Sequence, residues 1–516
     1  MARINSNIPS LIARTNLGRA NQDLEVRLQR LATGLRINRG ADNPAGLIIS
    51  ERLRSEVSGL NQAVNNSQRA SSVIATTEGA LAEISDLLNS VRGLVVEAAN
   101  TGAISVEERK ANQLQIDSAI DTITRISNSA SFGGLKLLNG SLDYVLSGLD
   151  SDSVNKATIF GANFNGRSQI QVDVNVIASA QTASLFLSAS NIGGTVAAGR
   201  FASNSTLEIA GPLGVQVLDI LSGQTLTAVA QAINTFTAAT GISASLLNPA
   251  NPASGMRFSS TTFGSNAFAS VRRLNEPTGG GFFRTFAITS NGAVPGTPSF
   301  GDPAFVAQLS SANRDAGRDV NAIVNGALAN GNGLTLSLQN QTALSLELEL
   351  DQQFATANGS ISTFYITGGG ALYQLGGVIN ASQQTNIGVQ SMAASRLGGT
   401  LLDDQLQFLS SLRSGGGNDL NSLEFQNASA ILDTSIDEVS TLRGRLGAFE
   451  RNTLETNVRS LSTAIENLTA SESRIRDADF AEETSRLTRS QILSSASTSV
   501  LGLANQQAQQ VLQLLG

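Results

Sequence analysis

Residues 17–35 read LGRANQDLEVRLQRLATGL, and residues 493–514 read LSSASTSVLGLANQQAQQVLQL. In the first stretch Leu17, Asn21, Leu24, Leu28, Leu31 and Leu35 recur at steps of four and three. In the second, Leu493, Ala496, Val500, Leu503, Gln507, Val511 and Leu514 do the same. That spacing puts each set on a narrow stripe, the seam of a coiled coil. A narrow stripe buries little until something packs on it. The two ends are therefore expected to find each other and then other copies. An isolated helix of this length is marginal in water, so neighbours are expected to order the ends.

Working inward from the N-terminal side, Asn7 can cap a first helix with Pro9 in its first turn. That helix should run to about Gly34. The run Arg36-Ile-Asn-Arg-Gly-Ala-Asp-Asn-Pro-Ala-Gly46 is dense in turn residues. A very long helix is predicted from Leu47 to about Asn100. Leu53, Val57, Leu60 and Val64 keep the four-three step; Leu81, Ile84, Leu88, Val91 and Val95 then drift in phase, which suggests a nearly straight rod. A third helix is predicted over Val106 to Asn128, and Phe132 to Gly140 reads as a turn with short strands. Helix returns after Asn421, with Ile431, Val439, Leu442, Leu446, Val458, Leu461 and Ile465 in a stripe ending near Ser471. Asp477 to Glu483 reads as a charged break, and an uncharged tail helix is expected from about Ser490.

Between the helical halves the texture changes. From Tyr144 to Arg396 only 22 residues are charged, while seven of the nine prolines and fifteen of the twenty phenylalanines lie there. Ile170, Val172, Val174 and Val176 alternate with polar residues, as do Leu334, Leu336 and Leu338 and then Leu344, Leu346, Leu348 and Leu350, so half-buried strands are expected. One helix is predicted at Thr225 to Asn234, flanked by strand-like Leu207-Glu-Ile and Ile242-Ser-Ala-Ser-Leu. A second is predicted near Arg318 to Asn330. The expected fold is α+β and multidomain: a long antiparallel helical coiled coil or bundle from both chain ends, with β-rich outer insert domains. The boundaries read as 1–45 and 472–516 for the terminal coiled coil, and 46–144 and 400–471 for a helical rod with short hairpins. The remaining 145–399 form the β-rich insert.

Composition narrows the function. The chain has 516 residues, a net charge of −7, and no Cys or His, and Trp is absent too. Without Cys there is no disulfide framework or thiolate chemistry. Without His as well, zinc, copper and haem sites and a Ser-His-Asp hydrolase are nearly excluded. Charge this mild does not suggest nucleic acid as a partner. The first sixty residues are net basic, with Arg14, Arg19, Arg27, Arg30, Arg36 and Arg39 among them, yet no side chain after Arg489 is charged. No secretory signal is read at the N-terminus. No stretch of about 18 apolar residues occurs, so no membrane insertion is expected. The N-terminal helix is basic enough for a membrane surface, but the tail carries no cation on its polar face.

No catalytic set, metal or cofactor is read. Glu347, Glu349 and Asp351 lie at period two, which reads as a solvated strand face more readily than as a cation site. Asp150-Ser-Asp152 starts like a calcium loop but lacks its glycine and distal glutamate. The runs Gly279–Gly281 and Gly415–Gly417 have no phosphate-binding context and read as turns.

The run Leu28-Gln-Arg-Leu-Ala-Thr-Gly-Leu-Arg-Ile-Asn38 with Ala41-Asp-Asn-Pro-Ala-Gly46 resembles the N-terminal signature of the bacterial flagellin family. Ser473-Arg-Ile-Arg-Asp-Ala-Asp-Phe480, Gln491-Ile-Leu493 and Thr498-Ser-Val-Leu-Gly-Leu-Ala-Asn505 resemble its C-terminal one. The segment from about 205 to 275 is similar to an insertion module found in some flagellins. The resemblance implies a homopolymer of many copies, the bacterial flagellar filament, with the terminal helices as inner tubes around a channel. Its assembly interface would hold Leu17, Leu24, Leu28, Leu31, Leu35, Arg36, Asn38, Asp42 and Asn43, together with Leu493, Ala496, Val500, Leu503, Val511 and Leu514. It also implies secretion through the flagellar type III apparatus, an export chaperone on the C-terminal helix, and growth under a filament cap beside hook–filament junction proteins. Sensing by an innate immune receptor would centre on Leu94, with Ser90 standing where the family has an arginine. Two alternatives share parts of this reading. A hook–filament junction protein has both helical ends, and a filament subunit can carry an outer domain that binds surfaces or glycans. The run Arg36 to Gly46 and the C-terminal match favour the filament subunit.

Overall fold

The structure, a computed structural model, describes residues 6–515 apart from 165, 189–198, 202, 252–253, 276–283, 289–297, 341–343 and 403–404. Gly279–Gly281 lies outside the described residues. The chain divides into two compact units. One comprises Met1–Ala75, Tyr373–Gln384 and Arg445–Gly516; the other comprises Thr76–Leu372 and Thr385–Gly444.

The first unit holds the terminal helices. The N-terminal helix spans Ile8–Thr33. The Asn7 side chain accepts the Ser10 N–H at 3.1 Å, and Pro9 sits in the first turn, where its missing N–H costs nothing. Gly34 ends the helix at φ 72°, a left-handed cap open to glycine at no steric cost, and its N–H reaches the Arg30 carbonyl. The long helix Pro44–Ala98 begins here. Asn43 accepts the Gly46 N–H at its start, and Ala63, Ser67 and Ala70 are buried along it. On the return, one π-helical turn, Glu450–Leu454, leads into the helix Glu455–Arg476.

Two expectations fail at helix boundaries. The stripe ending near Ser471 continues to Arg476, and the tail helix begins at Phe480 rather than near Ser490, running to Leu515. The charged stretch does break the helix, at Asp477 to Asp479, but its second half, Phe480 to Glu483, is already the first turn of the tail helix. Asp479 accepts the N–H groups of Ala481 and Glu482, and Glu482 and Glu483 occupy the first turn, where the helix dipole favours anions.

The second unit carries the helix Val106–Ser129, opened by a Ser105/Glu108 capping box, and the insert apart from Tyr373–Gln384. Leu81, Ile84, Leu88, Val91 and Val95 are buried, as are Ile116, Ile120 and Ile123, so the phase read from sequence marks the core face. Arg92 pairs with Asp433 at 3.1 Å, on the returning helix Phe425–Phe449.

Among the described residues the insert builds two cores. An antiparallel sheet of eight strands runs Tyr144–Ser147, Ile361–Gly369, Ile170–Ala178, Asn321–Val324, Ala327–Asn332, Thr335–Asn340, Leu344–Leu350, Val154–Ala162. Its buried side includes Val172, Val174, Val176, Leu336, Leu346, Leu348 and Phe364. A separate core gathers Leu207, Ile209, Phe258 and Val271 from two further sheets with Leu226, Val229 and Ile233 of the helix Leu226–Asn234. The helix predicted near Arg318 to Asn330 is instead a β-hairpin. Asn325 at φ 50° and Gly326 at φ 81° form the Asn-Gly turn between two strands. Both central residues tolerate positive φ, which matches the twist of a hairpin.

Candidate assembly surface

Within the first unit the N-terminal helix and the tail helix lie antiparallel, and a series of polar contacts joins them. At one end Asn7 donates to the Ala504 carbonyl at 3.0 Å, and Ser10 donates to Asn505 at 2.8 Å. Further along, Ser494 donates to Asn21 and Ser490 to Asp23. Arg27 reaches both oxygens of Glu483, and Arg30 reaches one at 3.1 Å. At the far end the Ala478 N–H donates to the Gly34 carbonyl, and the Arg36 N–H to the Arg476 carbonyl at 2.7 Å. As the number on one helix rises, that on the other falls, so the ladder fixes a single register. Ala13 and Ala504 are small enough to be buried in it.

The electrostatics follow from this packing. Glu483 is buried, which by itself raises its pKa, but the hydrogen bonds and charges of Arg27 and Arg30 outweigh that and hold the carboxyl below its ordinary range. The Ser490 hydroxyl, helped by Arg27 against partial burial, holds Asp23 low as well.

The apolar residues behave differently. Leu17, Leu24, Leu31 and Leu35 are half-buried, but Leu28 is 50% exposed. On the tail, Leu493, Ala496 and Val500 are exposed and Leu503 is 62% exposed. Leu11, Ile12 and Ile492 are exposed too. Val511 and Leu514 have helical backbone, but their side chains lie outside the described residues. The hairpin thus fixes its register with polar side chains and leaves several of its larger apolar ones, Leu28, Leu493, Val500 and Leu503 among them, largely uncovered. Sequence periodicity missed the ladder, because Ser, Asn and Asp on a helix look like a solvated face. The signal that could have found it is the pairing of a basic stretch, Arg27 and Arg30, with acidic Glu482 and Glu483.

Arg36, Asn38, Asp42 and Asn43 build the turn between helices. The Arg36 guanidinium donates to the carbonyls of Arg474 and Ile475, and the Asn38 amide to the Leu35 carbonyl. Asp42 accepts the N–H groups of Asn38 and Arg39, both at 2.9 Å, and these hold its carboxyl below the ordinary range. In the second unit Leu94 is half-buried, and Ser90 is exposed on the same long helix.

The carboxylates singled out in the insert separate. Asp351 caps the short helix Gln352–Thr356, and Glu347 is exposed. Glu349 lies opposite Lys156 across two strands, in a cleft of about 420 Å³ also lined by Glu347, Asp437 and Glu438. Lys156 pairs with Glu438. Burial, and then the nearby carboxylates Glu347 and Glu438 against the pull of Lys156, push Glu349 up. Asp150 accepts the Asp152 N–H in its own turn. Among the described residues no three such side chains could hold a metal ion, and no helix is long and apolar enough to cross a membrane.

Paired terminal helices that leave Leu28, Leu493, Val500 and Leu503 exposed, at the two ends of a chain with a β-rich insert, suit a self-assembling structural subunit. Residues 4–143 match the bacterial flagellin N-terminal helical region, and residues 429–515 the bacterial flagellin C-terminal helical region. The chain is 30% identical over 545 residues to the B-type flagellin of Pseudomonas aeruginosa, covering 99% of each. It is 29% identical over 531 residues to a flagellin of Salmonella rubislaw, again covering 99% of each. The solved structure of FliC from Burkholderia pseudomallei covers 74% of this chain and 99% of its own at 14% identity, with a TM-score of 0.23, too slight a likeness to argue from. The chain belongs to the bacterial flagellin family and is a structural subunit of the flagellar filament.

Proposed function

We propose that the exposed apolar residues of the terminal hairpin are the contacts between copies in the filament. Leu28, Leu493, Ala496, Val500 and Leu503 lead this surface, with Leu17, Leu24, Leu31 and Leu35 backing it; Val511 and Leu514 are added on their sequence spacing alone. Arg36, Asn38, Asp42 and Asn43 set the turn that orients the hairpin. The observation that carries this reading is the combination within one helix pair: a ladder of polar contacts fixes its register while Leu28, Leu493, Val500 and Leu503 stand largely in water. Burying such side chains against neighbours is worth about 1.5–3 kcal/mol each, so assembly supplies what the lone subunit lacks.

On this reading residues 1–45 and 472–516 form the inner tube, 46–144 and 400–471 the rod, and 145–399 the outer part with an insertion-type module near 205–275. The separate core around Phe258 and Leu226 supports that module. The subunit acts without catalysis. It is exported through the flagellar type III route to the cell exterior, with a chaperone on its C-terminal helix until release. It then meets the cap and the hook–filament junction proteins. The uncharged stretch after Arg489 and the absence of Cys support passage through a narrow channel. At the receptor-sensing face that the family implies, Ser90 offers no cation beside Leu94, so innate sensing is expected to be weakened. A full-length Leu503→Asp variant tests the assembly surface. Added to filament seeds it should fail to sediment as polymer, and elongation at the wild-type rate would overturn the reading.

A further inference from the structure

The loop after strand Ala371–Gln374 is braced more heavily than its length requires. The Gln374 amide donates to the carbonyls of Gly376 at 2.8 Å and Val378 at 2.9 Å. The Gln383 side-chain carbonyl accepts the Val378 N–H at 2.8 Å, and the Leu375 N–H reaches the Gln383 backbone carbonyl at 2.9 Å. Asn380 accepts from the Gln383 N–H and the Ser382 hydroxyl. The loop is also anchored to the helices of its own unit. Asn457 donates to the Leu375 carbonyl at 2.8 Å and to Ser67, and Asn66 donates to the Gln374 carbonyl. Gly59 and Gly377 meet backbone to backbone, so that a Cβ on Gly59 would lie 2.9 Å from the Gly377 oxygen.

All of this holds two side chains out in water: Val378 is 61% exposed and Ile379 is 86% exposed. A single exposed apolar residue is ordinary. Two adjacent β-branched residues on a loop fixed by two glutamines, three asparagines and a glycine contact are a preformed shape, which binds without a large ordering cost.

We propose that Val378 and Ile379 form a second contact between copies of this chain, an apolar knob that packs on the neighbouring subunit. This rests on the terminal hairpin being the assembly surface. Three observations select another copy as the occupant. The loop belongs to the same compact unit as the terminal hairpin, the unit whose exposed apolar residues are read as the contacts between copies. No side chain from Ala371 to Ser395 is charged, so the loop itself brings no charge into such a contact. In a filament, copies are also the neighbours at the highest effective concentration. Two residues are far too few for a free dimer, so the knob acts only in the polymer.

The absence of Cys makes the test clean, because one introduced thiol is unique. Full-length Ile379→Cys and Leu493→Cys chains are reacted with a maleimide as monomers and as filaments. The proposal expects labelling at 379 to slow at least about tenfold on assembly. Protection at 493 with unchanged labelling at 379 overturns the knob alone. Protection at 379 with unchanged labelling at 493 overturns the reading of the terminal stripe and keeps the knob. A second variant covers failure to assemble. Ile379→Ser should melt like the parent yet raise the critical concentration for polymerisation about tenfold, the effect of losing one modest apolar contact; an unchanged critical concentration overturns the proposal.

Discussion

In the strand Leu344–Leu350 every second residue is a buried leucine, whereas in the helix Phe480–Leu515 Leu493, Val500 and Leu503 stand exposed. The insert closes its apolar residues into two cores, one behind the eight-stranded sheet and one around Phe258. The terminal hairpin closes on hydrogen bonds and an ion-pair cluster instead. A region that buries its own apolar surface is complete as a monomer. A region that pairs through polar groups and leaves apolar ones outside has its register set in advance and its stability left to neighbours. The comparison separates what folds from what assembles within one chain.

The largest effect should come from removing the exposed stripe altogether. A chain ending at Ser490 is expected to lose seeded elongation completely, while the melting of the insert, followed by calorimetry, stays at the parental temperature. Loss of the insert transition would blur the comparison. Next, Leu28→Lys should change monomer stability by no more than about 0.5 kcal/mol, since the side chain is half exposed. In the polymer an unpaired charge on a buried seam costs about 3 kcal/mol or more. The critical concentration from sedimentation should therefore rise by two orders of magnitude or so, at about 1.4 kcal/mol per tenfold.

The polar ladder should respond less. Glu483→Gln leaves Arg27 and Arg30 without their shared carboxylate and should weaken the hairpin by about 2 kcal/mol, read as lost helicity in the monomer. The same cluster sets an acid response. Glu483 and Asp23 have pKa values below their ordinary range. Their contribution is full at neutral pH and is lost as pH falls through those lowered values. Helicity of the parent should drop in that acid range, and the Glu483→Gln variant should show a shallower drop. The smallest effect belongs to the insert. Glu349 is pushed up, so it favours the folded state in acid, and that advantage is lost as pH rises through its raised value. Glu349→Gln should therefore stabilise the insert slightly at neutral pH, by about 1 kcal/mol or less, with the gain vanishing in acid. A gain that persists at low pH would point to packing rather than charge.

Much of this was legible in the residues. Asn7 and Gly34 bound the first helix because their side-chain and backbone chemistry suits those ends. The alternating leucines of 344–350 marked their strand because a two-residue period has no other reading. Other features escaped for physical reasons. The Asn325-Gly326 turn lay inside a stretch whose apolar spacing mimicked a helix. The early start of the tail helix hid behind Asp479, Glu482 and Glu483, charges that break a stripe but suit a helix N-terminus. The Ser490–Asp23 and Ser494–Asn21 bonds and the Gly59–Gly377 approach join residues hundreds of positions apart, and no local pattern announces such pairings.

The most direct test of the central contrast is amide hydrogen exchange on monomer and filament in parallel. The prediction is weak protection of Ile8–Thr33 and Phe480–Leu515 in the monomer, rising by several orders of magnitude in the filament. The strands Ile170–Ala178 and Leu344–Leu350 should be equally protected in both states. Terminal helices already as protected in the monomer as those strands, with no gain on assembly, would contradict the account.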